Sequence, residues 1–257
     1  MTLVYSICSS VAESSRIVFL SIRRKLNRAF HDAALQQGVY HDPVPAFFGR
    51  RVTIKRKRLM SEQEERTSES HPIQVDFLPQ EALELPGQLG LTLAPGKKAD
   101  ASDGRWARDL ETDLRRLREE YDTGVLVSLL ERDEYSDLGI DELFQKAEEM
   151  GIEVLHLPIP NYGVPLASEE GNYRPMIEDV AERLEKGQTV VVHCRGGLGR
   201  SGMVAASVLV ALGQPAEEAI RIVREAREGA VETPDQEDRV RFFEMELQSG
   251  GGSREED

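Results

Sequence analysis

The chain of 257 residues has two cysteines, Cys8 and Cys194. That excludes a disulfide scaffold and leaves too few thiols for a structural zinc site built on cysteine. Long apolar runs are missing as well. The most extended one, Met203 to Leu212 with Ala205, Ala206 and Ser207 inside it, falls short of the ~20 residues that span a bilayer, so no stable membrane insertion is expected. Positive charge is scarce: the formal net charge of −14 argues against a nucleic-acid-binding chain. No two of His31, His41, His71 and His156 have metal-ligand spacing, so no metal site is expected. No internal repeat is apparent. What is present is a hydrophobic content of 40%, enough to bury a core. The length suits one large domain, or one domain with an appendage, at roughly 150 residues per domain.

The charge is unevenly spread. Residues 1–59 carry 11 Lys/Arg against 3 Asp/Glu, a net of +8, whereas residues 60–257 carry 21 against 43, a net of −22. The basic piece holds Arg23, Arg24, Lys25 and Arg28, then Arg50, Arg51 and the run Lys55–Arg58. It reads as an arm for acidic lipid or nucleic acid, as an organellar transit peptide, or as a poorly ordered extension without a dedicated role. A fourth reading is adopted here. Lys55–Arg58 can be encoded by a purine run resembling a bacterial ribosome-binding site, and Met60 follows closely, so the expected native start is Met60 and residues 1–59 are an over-extended gene start. Residues 60–71 are polar and aperiodic, a linker, and residues 249–257 read as a flexible acidic tail. Between them lies one domain, residues 72–248.

Within that domain strands and helices alternate. Short strands are expected at Ile73–Leu78 and Leu89–Leu93. Trp106, Leu110, Leu114 and Leu117 recur at helical spacing with Asp103 as cap. The continuous apolar stretches Gly124–Leu130 and Thr189–His193 suit strands buried on both faces, with Ile152–Leu157 as a further strand. Leu143 to Met150, Ile177 to Leu184, the apolar segment from about Gly199, Ala219 to Ala226 and Val240 to Leu247 predict helices. The pattern implies an α/β fold, a mostly parallel sheet with helices on both faces.

The chemistry concentrates in residues 193–202, His-Cys-Arg-Gly-Gly-Leu-Gly-Arg-Ser-Gly, between a buried strand and an apolar helix. Backbone N–H groups in a glycine-rich turn, here Arg195, Gly196, Gly197, Leu198 and Gly199, form a cradle for an anion, and the helix N-terminus adds its positive end. The Arg200 guanidinium offers a planar fork matched to phosphate oxygens. A thiol beside a helix N-terminus and cations has its pKa lowered from about 8.5 to ~3.5–7.5, which makes Cys194 a thiolate nucleophile. Ser201 can donate to the sulfur and ease its departure in a second step. Most free cysteines are small buried hydrophobes. The company of His193, Gly197, Arg200 and Ser201 sets this one apart.

The motif Cys-x-x-Gly-x-x-Arg-Ser after His193 resembles the signature of the cysteine-dependent protein tyrosine/dual-specificity phosphatases. With LPGQLGLTLAPGKK and LHLPIPNYGVP, the chain resembles their kinase-associated phosphatase group, whose eukaryotic members act on cyclin-dependent kinases. The resemblance covers about Pro72–Leu247. It implies a dual-specificity phosphatase-like fold, a cysteinyl-phosphate intermediate, no cofactor, and a phosphoprotein partner bearing phosphotyrosine or phosphoserine/phosphothreonine. His193 is then a group that orders the loop rather than a base.

One position departs from the group. Its members carry an aspartate after Pro-Ile-x, the acid that protonates the leaving oxygen; here Pro158-Ile159-Pro160 is followed by Asn161, and an amide cannot supply a proton. Three accounts stand open. Another carboxylate (Glu169, Glu170 or Asp133) takes the role, phenolic leaving groups are preferred, or the protein is a slow or pseudophosphatase phospho-binding module. Gln236, in TPDQED, matches a position that orients water in the resembling enzymes, or is a solvated helix-start residue. Arg195 inside the loop favours a polyanionic headgroup, as in phosphoinositide phosphatases. Leu198 holds the other expected cation position, however, and a net −22 repels an anionic membrane. The first expectation is a phosphoprotein and the alternative a phosphoinositide. A thiolate nucleophile without paired cysteines points to a reducing, cytoplasmic location.

Overall fold

Thr189–His193 contributes three consecutive valines, and a strand with apolar side chains on both faces is stable only where both faces are covered. A computed structural model describes residues 65–101 and 104–250 of the chain, and there this strand is the middle of a five-stranded sheet. The strands in chain order are β1 (Glu65–Arg66), β2 (Asp76–Phe77), β3 (Gln88–Thr92), β4 (Lys98–Ala101), β5 (Gly104–Ala107), β6 (Thr123–Ser128), β7 (Glu153–His156) and β8 (Thr189–His193). The helices are α1 (Gln80–Leu83), α2 (Leu110–Glu119), α3 (Arg132–Leu138), α4 (Leu143–Glu149), α5 (Glu170–Glu185), α6 (Gly199–Ala211), α7 (Ala216–Ala226) and α8 (Pro234–Gly250). The main sheet runs β2-β3-β8-β6-β7, parallel except for the edge strand β2, and β1-β5-β4 form a small second sheet.

Side chains alternate across the main sheet as the two-residue pleat requires. Val125, Val127, Val190 and Val192 join the core beneath α5 to α8, while Leu126 and Val191 face the opposite core with Leu114, Leu138 and Leu143. The expected α/β architecture, mostly parallel with helices on both faces, is the one found. α6 is buried along its length from Gly199 to Val210, which explains its unbroken apolar sequence. Among the described residues no helix is long and apolar enough to cross a membrane.

Several local expectations are corrected. The strand expected over Ile73–Leu78 shrinks to Asp76–Phe77. Trp106 does not begin a helix capped by Asp103. It lies in β5, paired antiparallel with Ala99 of β4, and α2 starts at Leu110 with Asp109 as cap, its carboxylate accepting the Thr112 N–H at 2.8 Å. Trp106 stands four residues before Leu110, which mimics a helical period. Helix α3 had no counterpart in the sequence reading.

The segment read as a linker is structured from Glu65 onward. Glu65–Arg66 pairs with β5, Ser68 Oγ donates to the Asp109 carbonyl and accepts the Asp109 N–H, and buried Arg108 donates to the His71 carbonyl at 2.6 Å while paired with buried Asp113. Likewise α8 reaches Gly250, into the expected tail. Residues 1–59 and Met60, with the expectations placed on them, lie outside the described residues.

The arrangement of the parallel strands positions the site. In an open α/β sheet, ligands bind beyond the carboxyl ends of the strands. Thr92 of β3, Ser128 of β6, His156 of β7 and His193 of β8 all end at one edge, so the segments that follow them meet there.

Candidate active site

Cys194 is the first residue after β8, and only 3% of it is exposed. The Gly197 N–H donates to its Sγ at 3.2 Å. Burial pushes the thiol pKa up. The Arg200 charge, the Ser201 hydroxyl, and the backbone N–H groups of Ser201 and Leu198 outweigh that and hold it below the ordinary value. Ser201 Oγ is itself buried without a well-aligned hydrogen bond, so its proton is free to turn toward an ionised sulfur. Gly196 and Leu198 are half-buried, as is Arg195, and the Gly196 carbonyl accepts from Arg227 Nη2 at 3.1 Å.

Arg200 lies in the first turn of α6, buried, with five hydrogen bonds to acceptors. Its Nη1 donates to Glu134 Oε2 at 2.6 Å, to the Ile159 carbonyl at 2.9 Å and to the Leu129 carbonyl at 3.3 Å. Its Nη2 donates to Glu134 Oε1 and to Asn161 Oδ1, both at 3.0 Å. Each acceptor follows the end of β6 or β7, so the sheet edge itself aims the guanidinium. Burial would raise the Glu134 pKa, but the Arg200 hydrogen bonds and its own capping bond to Glu131 hold the carboxyl below the usual range. Glu134 was missed from sequence. The only signal was a carboxylate shortly beyond the end of a buried strand.

His193 is fully buried. Burial first, and then the nearby Arg200 charge, bring its pKa down to about 4 against a hydrogen bond to the Cys194 carbonyl, so the ring is neutral. Its Nδ1 lies 3.4 Å from that carbonyl.

Asn161 is exposed on the loop after β7, and its contact with Arg200 brings it to the site as a hydrogen-bond acceptor. Next to it Tyr162 adopts a left-handed backbone (φ 60°) and is 63% exposed. Of the carboxylates weighed as substitutes, two have partners of their own and one is exposed. Glu170 pairs with Arg239 at 2.7 Å, Glu169 accepts from Asn172 at 3.0 Å, and Asp133 is exposed on α3.

Gln236 is buried rather than solvated. Its Oε1 accepts the N–H groups of Glu232 (3.0 Å) and Thr233 (3.3 Å), and its own N–H lies 3.3 Å from Thr233 Oγ1. This is the reciprocal cap that Thr-x-x-Gln builds at a helix start, with Pro234 at the first helical position. The Gln236 amide also donates to the Gly163 carbonyl at 3.2 Å, tying the start of α8 to the loop that carries Asn161. Glu232 was not singled out from sequence, yet its Oε2 accepts the Gly199 N–H at 2.8 Å. Among the described residues no three His, Cys, Asp or Glu side chains are placed to share a metal ion.

The site therefore presents a buried thiol of lowered pKa, inward-facing N–H groups and a fixed guanidinium, an arrangement suited to gripping a tetrahedral anion. Similarity to known proteins runs in the same direction. The family model described as cyclin-dependent kinase inhibitor 3 (CDKN3) matches residues 51–220, a span that includes residues 51–59, which the sequence reading left outside its resemblance. Cyclin-dependent kinase inhibitor 3 of Rattus norvegicus is 31% identical over 198 residues, 76% of this chain and 90% of its own length, and that of Homo sapiens is 29% identical over the same shares. A crystal structure of kinase associated phosphatase, with its catalytic-site cysteine replaced by serine, superposes with a TM-score of 0.61 at 27% identity, covering 69% of this chain and 97% of that one. The fold is thus of the dual-specificity phosphatase type, and the chain belongs to the cyclin-dependent kinase inhibitor 3 family.

Proposed function

We propose that the protein is a phosphomonoester hydrolase of the protein tyrosine/dual-specificity class, working through a cysteinyl-phosphate on Cys194. The observation that carries this reading is the thiol held below its ordinary pKa beside a guanidinium with five acceptor contacts. The phosphate of the substrate sits on the N–H groups of the loop from Arg195 to Arg200 other than that of Gly199, which Glu232 holds, with the positive charge of Arg200 beside its oxygens. The thiolate attacks phosphorus, and the leaving oxygen departs on the opposite side with a proton. Arg200 and the N–H cradle stabilise the charge of the transferring group, a contribution of the kind worth ~10²–10³-fold per donor. Ser201 stabilises the returning thiolate when water displaces phosphate from sulfur.

The proposed substrate is a phosphoprotein, in a reducing cytoplasm. Support comes from the single loop cation Arg195, from Leu198 at the other cation position, and from the acidic body of the chain. A panel of an aryl phosphate, phosphotyrosine, phosphoserine and phosphothreonine peptides, and vesicles carrying phosphoinositides tests it by phosphate release. The expected order is aryl phosphate and phosphopeptide well ahead of lipid. Release confined to the phosphoinositide overturns the substrate assignment, and persistent phosphopeptide binding without any release overturns the enzymatic one.

Glu134 has a separate expected effect. Glu134→Gln keeps the shape but removes the charge that orients Arg200, and a drop of about tenfold in kcat/KM is expected, the equivalent of roughly 1.4 kcal/mol. The same variant changes the acid side of the stability profile. Because folding lowers the Glu134 pKa, its contribution is present above the ordinary carboxylate pKa and is lost as pH falls through the lowered one. Wild type should therefore lose its stability advantage over Glu134→Gln on acidification, as read by Tm against pH.

A further inference from the structure

Asn161 leaves the proposed hydrolase without the proton carrier its chemistry needs, and the loop before α8 holds a carboxylate that can act. Glu232 Oε2 sits 2.8 Å from the Gly199 nitrogen, one residue before Arg200 and five after Cys194. This approach depends on Gly199 being glycine. A Cβ there would stand 2.5 Å from Glu232 Oε2 and 2.8 Å from Gln236 Oε1. The position is fixed from behind as well. Gln236 holds the Glu232 backbone N–H, and Thr233 Oγ1 donates to the Tyr162 carbonyl at 3.4 Å, which packs the carboxylate's own segment against the loop bearing Asn161. The residue is exposed, so its second oxygen can meet water. By contrast Glu134 is buried and committed to Arg200, and Glu170 to Arg239.

We propose that Glu232 is the catalytic residue that moves the proton in this site, resting on the hydrolase reading above. In the second step the Glu232 carboxylate takes a proton from water. The water oxygen forms its bond to phosphorus, and the S–P bond breaks with its electron pair returning to Cys194 as thiolate. The products are hydrogen phosphate and a protonated Glu232. That proton is the one delivered to the leaving oxygen when the next substrate's P–O bond breaks, so charge and protons close over a full turnover. Phenolic leaving groups need little of this help, whereas water always needs it, so an aryl phosphate separates the two steps.

The test is rapid-quench kinetics on the full chain with an aryl phosphate, reading the phenol burst, steady-state phosphate release and phospho-Cys194 by mass spectrometry. Glu232→Gln retains an acceptor for the Gly199 N–H but cannot carry a proton. The expected result is an intact burst, steady-state turnover lowered about 10²-fold, and phospho-Cys194 accumulating to near one equivalent. An unchanged Tm shows that the fold is unaffected. Glu232→Gln turning over at the wild-type rate, or losing burst and steady state together, overturns the assignment while a wild-type burst leaves the hydrolase reading intact. A wild-type enzyme that forms neither burst nor phospho-Cys194 overturns the hydrolase reading itself, and Glu232 with it.

Discussion

Replacing Cys194 by serine is expected to lower phosphate release more than about 10⁴-fold while leaving the phosphate cradle able to bind. The hydroxyl is a far weaker nucleophile at neutral pH. The thiol, in contrast, is held below its ordinary pKa because Arg200, Ser201 and the loop N–H groups outweigh its burial. Where the thiol is ionised, the same change removes a negative charge that faces the bound dianion, so a phosphopeptide should bind Cys194→Ser at least as tightly as wild type, read by calorimetry. The pH dependence has a definite sign. Turnover rises as the thiol ionises, and since its pKa is lowered, that acid limb lies below the usual thiol range near 8.5. His193, neutral with a pKa near 4, adds no limb between pH 5 and 8. Turnover by Cys194→Ser at even a hundredth of the wild-type rate would exclude a cysteinyl-phosphate route.

The sequence was most readable where structure is local. Three valines in a row, a glycine-rich turn and an apolar segment gave β8, the loop and α6, because periodicity and turn chemistry act over a few residues. Gly151 and Gly187, just beyond the ends of α4 and α5, both have positive φ, the backbone state in which glycine commonly stops a helix. The support around the loop was not readable for the opposite reason. Arg200 and Glu134 are 66 residues apart in the chain, Arg200 and Asn161 are 39 apart, and Gly199 and Glu232 are 33 apart. Such partners are chosen by strand order, which composition does not encode. The β4–β5 hairpin was lost to coincidence, since short strands reading KADA and GRWA lack β-branched residues and Trp106 falls in phase with α2. Gln236 was readable after all. Thr-Pro-Asp-Gln is a capping-box pattern with proline at the first helical position, and it predicts an amide folded back on the backbone.

Two adjacent glycines in the loop are expected to respond very differently to alanine. Gly197 has φ +73°, a region that costs a residue with a Cβ about 1–2 kcal/mol. Its Cβ would also stand 2.2 Å from the Thr92 carbonyl oxygen and 2.4 Å from that carbonyl carbon, backbone atoms of β3 that cannot swing aside. Relief requires the loop to lift away from β3, which carries off the N–H that donates to Cys194 Sγ. Gly197→Ala should therefore lower Tm by about 4 °C or more, at roughly 2–4 °C per kcal/mol for a domain of this size. Turnover should fall by about 10²-fold or more, since a displacement near 1 Å is enough for that loss. Gly196, one residue earlier, has nothing within 4 Å of where a Cβ would stand, and its carbonyl accepts from Arg227. Gly196→Ala should leave Tm within about 1 °C of wild type, because its only expected cost is that of a substitution in open space. Equal losses in the two variants, by Tm and by aryl phosphate turnover, would show that the loop needs general flexibility rather than the single close approach between Gly197 and Thr92.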